Sequence, residues 1–144
     1  IPDRVMELEF TESILAADTE LFAELVVNLN ARGFICSLDD FGSGYSSLNL
    51  LKNLPIDVLK LDILFFQKSR DIRRERIVVS NVINMAKELD IKTIAEGVED
   101  MDTVEFLRKA GCNVIQGYVF AKPMPQEDFE HLLTDSQDGS FEGC

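Results

Sequence analysis

Short apolar runs alternate along this chain with longer segments of helical period. Residues 5–10 are short and alternate between apolar and charged positions, which predicts a strand. Four more strand runs are expected at residues 34–38, 57–61, 92–95 and 114–118. Between them lie amphipathic segments. Asp18 is a candidate N-cap for a helix whose apolar face is Leu21, Phe22, Leu25, Val26 and Leu29, with Gly33 where a terminating glycine belongs. Ser46 or Ser47 would cap a short helix running through Leu54 and stopped by Pro55. Residues 71–89 read as a long helix with Ile72, Val79, Val82, Ile83, Met85, Ala86 and Leu89 mostly on one side. Residues 102–110 read as a helix closed by Gly111, and 126–133 as a last helix introduced by Pro125. Residues 134–144 read as a polar tail.

A strand followed by a helix, five times over, predicts an α/β architecture with parallel pairing and right-handed crossovers. The spacing suits a TIM barrel or a doubly wound sheet. No Gly-x-Gly-x-x-Gly follows the first strand run, which weakens a dinucleotide-binding reading.

The polar ends of these runs change the picture. The first run carries Glu7 and Glu9, the second leads into Asp39-Asp40, and the third holds Lys60 and Asp62. The fourth leads into Glu96, with Glu99 beyond it, and the fifth contains Gln116-Gly117. Successive strand side chains point to opposite faces. Met6, Leu8, Phe10, Leu59 and Leu61 are therefore expected to face the helices, and Glu7, Glu9, Lys60 and Asp62 to face inward. Taken singly, an Asp-Asp pair is more often a cap or a solvated turn, and Lys60, Glu96 and Glu99 are ordinary charges. Their joint placement at five consecutive strand ends is not ordinary, because that is where (β/α) barrels keep their active sites. Burying such charges unpaired would be costly, and metals with a lysine counter-charge would offset that cost. Hard divalent cations take carboxylate oxygens, and two of them clamp a phosphate and activate water. The donor set thus fits metal-assisted phosphodiester hydrolysis.

Composition narrows the partners. The chain has 144 residues and a net charge of −12, from 26 acidic and 14 basic residues. Such a surface repels polyphosphate, so DNA and RNA are not expected partners. No apolar stretch is long enough for a membrane-spanning helix, and the first residues do not resemble a signal peptide. A cytoplasmic setting is expected, either alone or as part of a larger bacterial signalling protein. The absence of an initiator Met suggests an excised piece. Cys36, Cys112 and Cys144 are odd in number and far apart, which argues against a disulfide framework. His131 is the only histidine, so His-based catalysis or zinc chemistry is not expected.

At these residues the sequence resembles the EAL-domain family of cyclic-di-GMP phosphodiesterases. The matching stretches are Leu8-Glu9-Phe10-Thr11-Glu12-Ser13, Asp39-Asp40-Phe41-Gly42-Ser43-Gly44-Tyr45-Ser46-Ser47-Leu48, Leu59-Lys60-Leu61-Asp62, Ala95-Glu96-Gly97-Val98-Glu99 and Gln116-Gly117-Tyr118-Val119-Phe120. The resemblance implies an incomplete TIM-type (β/α) barrel of about five β/α units over residues 1–133, the C-terminal part of such a domain. It implies Mg2+ or Mn2+ in a two-metal site, with Glu9 and Asp39 on the first ion, Asp39 bridging, and Asp40 on the second. By the same resemblance Lys60 contacts the nucleophilic water, Glu96 lies near the metals as a candidate base, and Gln116 positions water. Glu12 would anchor the loop after Asp40, which couples metal binding to dimerisation in the family. Asp62 and Glu99 would sit in a second layer or on the substrate side. Residues 63–66 depart from the family's polar-basic pattern.

The Glu-Ala-Leu motif that names the family, and a metal-binding asparagine, belong to strands preceding the first run found here. The expectation is therefore a phosphodiesterase piece, hydrolysing cyclic di-GMP to linear pGpG and inactive without those strands. The alternative is a non-catalytic half-barrel that binds cyclic di-GMP or another protein. Open parallel edges predict a homodimer or pairing with another EAL-type chain.

Overall fold

The computed structural model describes residues 4–11, 19–42, 48–63 and 71–137. Strand and helix alternate throughout: β1 (Glu7–Thr11), α1 (Thr19–Asn30), β2 (Ile35–Phe41), α2 (Leu48–Asn53), β3 (Val58–Asp62), α3 (Ile72–Glu88), β4 (Lys92–Glu96), α4 (Met101–Ala110), β5 (Val114–Ile115) and α5 (Gln126–Gln137). The five strands form one sheet in the order β1-β2-β3-β4-β5, and every neighbouring pair is parallel. This is the open run of successive β/α units that the strand–helix alternation predicts. No helix among the described residues is long and apolar enough to cross a membrane.

The core lies between the sheet and its helices. Cys36, Leu38, Leu59, Leu61 and Ala95 from the strands pack with Phe22 and Val26 of α1, Val79, Ile83 and Ala86 of α3, and Val104 and Leu107 of α4. Phe10 meets Phe22 edge to face with ring centroids 4.9 Å apart, a geometry favoured by the ring quadrupoles. The buried positions of α3, at 79, 82, 83 and 86, follow the spacing of one helical face.

Several boundaries differ from the sequence reading. In α1 only Phe22 and Val26 are buried; Leu21 and Leu25 are exposed, because the buried stripe is narrower than the apolar one. Ile72 and Leu89 at the ends of α3 are exposed for the same reason, as is Met6 ahead of β1. β2 runs on through Asp39 and Asp40 to Phe41, three residues past the expected run. β5 is only two residues long, so Gln116 and Tyr118 lie beyond it. α5 continues to Gln137, four residues into the expected tail. The cap expected at Asp18, the alternative caps Ser46 and Ser47, the anchor Glu12, residues 64–66 and Cys144 lie outside the described residues.

The two ends of the sheet are built differently. At the N-terminal end Asp57 ties three strands. Its Oδ2 accepts the Cys36 N–H at 2.9 Å, its Oδ1 accepts from the Arg4 guanidinium at 2.7 Å, and its own carbonyl accepts the Lys92 N–H at 3.0 Å. Cys36 is fully buried; burial first, and the Asp57 charge second, push its thiol up. It therefore behaves as a small protonated hydrophobe. At the C-terminal end two backbone segments pass very close to each other. A Cβ on Gly117 would stand 2.0 Å from the Val98 carbonyl oxygen and 2.4 Å from the Val98 nitrogen, so only glycine fits. The Gln116 N–H donates to Ala95 O at 2.8 Å and the Val98 N–H to Gln116 O at 3.2 Å, which holds the two segments at that separation.

Gly117→Ala is expected to lower stability by about 3 kcal/mol, since backbone rather than a flexible side chain must yield. Gly111→Ala should cost only about 1 kcal/mol, for an alanine in a left-handed conformation. Gly111 has φ 89° and open space where the Cβ would go. Urea midpoints measure both, and a Gly117→Ala midpoint equal to wild type would refute the close approach.

Asp100 caps α4 by accepting the Thr103 N–H at 2.7 Å and the Thr103 hydroxyl at 2.8 Å. The backbone hydrogen bond from Thr103, then its hydroxyl, hold the Asp100 carboxyl below the usual range. The carboxylate's contribution is therefore present above the unfolded value of about 4 and is lost as pH falls through the lower folded value. Asp100→Ala is expected to cost about 1 kcal/mol at neutral pH, with the gap to wild type narrowing in acid. A gap that widened in acid urea melts would contradict the cap.

Candidate functional site

Parallel register decides which side chains meet. Glu9 lies opposite Ser37 on β2, and Ser37 opposite Val58 on β3. Lys60 lies opposite Ile94, and Asp62 opposite Glu96. The alternate positions Phe10, Leu38, Leu59, Leu61 and Ala95 belong to the core on the helix side. Glu9, Ser37, Asp39, Lys60 and Glu96 therefore share the other face, near the C-terminal ends of four adjacent strands, as the alternation predicted.

The second aspartate does not follow simple alternation. Leu38 pairs with Leu59 but Phe41 pairs with Leu61, so β2 carries one extra residue at this point. This is a β-bulge, and Asp40 stands in it with φ 56°. Aspartate tolerates the left-handed region better than most residues. The bulge restores Phe41 to the core, where it is 3% exposed, and leaves Asp40 exposed. The Asp40 N–H donates to Asp39 Oδ1 at 3.0 Å. Nothing in the local sequence except the aspartate itself and the following Gly42 marked this turn of the backbone.

Lys60 is the focus of the site. Its Nζ lies 2.8 Å from Glu9 Oε1, 3.0 Å from Glu96 Oε1 and 3.4 Å from Asp39 Oδ1. One residue on β3 thus joins β1, β2 and β4. The lysine side chain is 11% exposed, while Glu9, Asp39 and Glu96 are 51%, 21% and 26% exposed. Burial by itself would lower the Lys60 pKa, but hydrogen bonds to Glu9 and Glu96 and the charges of Glu96 and Asp39 outweigh it and raise it well above the ordinary lysine range. Lys60 is accordingly a fixed cation that donates hydrogen bonds; it does not serve as a base near neutral pH. Three carboxylates against one ammonium leave two negative charges, open to solvent on the carboxylate side. Such a surface draws cations and repels a bare phosphate.

The remaining candidates fall around this cluster. Asp62 is half-buried beside Glu96 in register. Glu7, Glu99 and Gln116 are exposed, and Gln116 is held by its backbone bonds to Ala95 and Val98. Ser37, fully buried, donates to the Leu8 carbonyl at 3.5 Å and sits in the layer beneath the charges. Sequence reasoning did not single it out, since serine in a strand carries no signal of its own. Among the described residues no three histidine, cysteine, aspartate or glutamate side chains gather as the ligands of one metal ion. Glu9, Asp39 and Asp40 suit a hard divalent cation in kind, all being oxygen donors, but fall short of one in number.

The EAL domain family profile matches residues 1–123 of the chain. The cyclic di-GMP phosphodiesterase NbdA of Pseudomonas aeruginosa is 39% identical over 128 residues, 89% of this chain and 16% of NbdA. The crystal structure of the EAL domain of Mycobacterium smegmatis DcpA superposes with a TM-score of 0.81 at 34% identity, over 94% of this chain and 60% of that one. A standalone EAL protein from Vibrio cholerae, solved in its c-di-GMP-bound form, gives a TM-score of 0.74 at 34% identity, over 85% of this chain and 52% of that one. The chain thus spans less than two thirds of each of these proteins. The family match takes in all five parallel strands and the charged cluster that β1 to β4 carry, and the chain belongs to the EAL domain family.

Proposed function

We propose that this chain forms the C-terminal part of a cyclic-di-GMP phosphodiesterase site. The observation that carries the reading is the Lys60 ammonium among Glu9, Asp39 and Glu96 at the ends of four parallel strands. NbdA bears the name of that activity, and the Vibrio cholerae protein was solved with that dinucleotide bound. The reaction adds water across one phosphodiester: a new P–O bond forms, the P–O3′ bond breaks, and linear pGpG results. In this reading Lys60 donates a hydrogen bond to the attacking water and stabilises negative charge as it develops on the phosphate. Glu96, next to Lys60, accepts the water's proton, and Gln116 helps place that water. Asp62 and Glu99 lie on the substrate side.

Mg2+ or Mn2+ belongs to the same proposal, with Glu9, Asp39 and Asp40 as this chain's contribution to its ligands. When bound, it would neutralise the carboxylates and let a phosphate approach. The family resemblance assigns the missing donors to strands that precede β1. Pairing of the two open sheet edges, with a second copy or another EAL-type chain, is proposed on the same ground.

Residues 1–144 alone are expected to leave cyclic di-GMP intact in the presence of magnesium. Losing ligands loosens a geometry in which a misplacement of about 1 Å costs on the order of a hundredfold. Supplying the preceding strands of an EAL domain, in cis or co-expressed, should restore pGpG formation, read by chromatography. Lys60→Ala or Glu96→Ala should then abolish it. Full turnover by residues 1–144 alone would overturn the incomplete-site reading. Retained binding of the dinucleotide without any restored hydrolysis would favour the binding-module alternative.

Calorimetry should detect weak manganese or magnesium binding that disappears in the Asp39→Ala/Asp40→Ala double variant. Equal affinity in the two proteins would remove these aspartates from the metal site.

A further inference from the structure

A cleft of about 490 Å³ lies between the N-terminal halves of α3 and α4, within the range of small-molecule pockets, roughly 300–1,000 Å³. Its floor is apolar. Ile63, Val79 and Leu107 line it, and all three belong to the core, so it lies on the helix side of the sheet, away from Lys60. Two adjacent charged residues, Glu75 and Arg76, share the lining. Among the described residues Arg76 makes no hydrogen bond and no ion pair; its guanidinium stands over the Phe106 ring, 5.1 Å from the centroid. The Glu75 carboxyl has no hydrogen-bond or ion-pair partner among them either. Burial raises that carboxyl above the ordinary range, with Arg76 acting the other way. Asp100, by contrast, is engaged by Thr103. With Asp100 and Asp102 the lining carries three acids to one base.

Arg76 brings only donors to the cleft and the Glu75 carboxylate only acceptors. A ligand that satisfies both presents a carbonyl oxygen next to two parallel N–H groups on one flat edge. Guanine does so with O6, N1–H and the N2 amino group; adenine has an amino group but no carbonyl. The excess of acid around the cleft disfavours a phosphate inside it. We propose that this cleft is a guanine-base site, separate from the charged cluster. Glu75 accepts N1–H and N2–H, Arg76 donates to O6, and the base packs on the apolar floor. Any phosphate remains outside. The recognised edge is common to guanosine and its nucleotides, and the surrounding charge ranks guanosine ahead of them. A base held there ties α3 to α4 behind β3 and β4, the strands that carry Lys60 and Glu96. The site goes beyond the proposed hydrolysis and does not depend on it.

The test uses residues 1–144 and ligand-observed NMR titrations with guanosine, inosine, adenosine and GMP at neutral pH. Guanosine is expected to bind. Inosine, which lacks the N2 amino group, and GMP, which adds a phosphate, should bind more weakly, and adenosine weaker than guanosine by about tenfold or more. Glu75→Gln and Arg76→Met should each weaken guanosine binding about tenfold. Since the Glu75 carboxyl has no partner among the described residues, the Glu75→Gln protein should melt with wild type when no nucleoside is present. That match separates lost recognition from lost fold, and Arg76→Met gives an independent reading. Equal binding of adenosine and guanosine overturns recognition of the guanine edge. GMP binding tighter than guanosine overturns entry by the base alone. Guanosine binding that survives both variants, or no guanosine binding by wild type, overturns the site.

Discussion

A nearly buried ammonium has to be satisfied by acceptors, and in this protein the acceptors come from three different strands. Lys60 is tolerable on β3 only because β1, β2 and β4 bring Glu9, Asp39 and Glu96 to the same height. That coincidence is a matter of register. A slip of one residue in any of these strands would turn its carboxylate to the helix side and its apolar neighbour inward. The ion cluster and the hydrophobic core thus specify the same pairing, the core through Leu38, Leu59, Leu61 and Ala95 on one face and the charges on the other.

Two backbone exceptions lie at the same end of the sheet as this cluster. Asp40 holds a left-handed conformation inside a strand, and Gly117 passes so near Val98 that no side chain would fit. Both are locally unfavourable and both serve placement. The first separates two adjacent aspartates so that Phe41 remains in the core. The second draws the segment carrying Gln116 against the loop that follows Glu96. The opposite end of the sheet is held by Asp57, whose carboxylate and backbone link Arg4, Cys36 and Lys92. Strands of this kind divide their work, with stability at one end and chemistry at the other.

In the proposed function, the cluster would let an acidic protein receive a phosphorylated dinucleotide. Three of its carboxylates are arranged around one lysine, on the open side of the cluster. On that reading, cations would be attracted first, and a phosphate would follow once they had neutralised the carboxylates.

Hydrophobic period by itself determined the order of elements, the parallel sheet, and which face of each strand is apolar, because alternation in a strand and the four-residue recurrence in a helix are local properties of the chain. It also located Glu9 and Lys60 as polar residues in apolar runs, and Asp39 and Glu96 as polar residues just after them. What it could not reach were the properties set by neighbours distant in sequence. Leu21 and Leu25 carry the helical period as well as Phe22 and Val26 do, yet only the latter meet the sheet. Asp39 and Asp40 are the same residue type side by side, yet a bulge against β3 sends one to the lysine and the other to solvent. β5 ends after two residues because Gln116 bonds back to Ala95 and Val98. In each case the deciding contact joins residues many positions apart, and only folding brings them within a few ångströms.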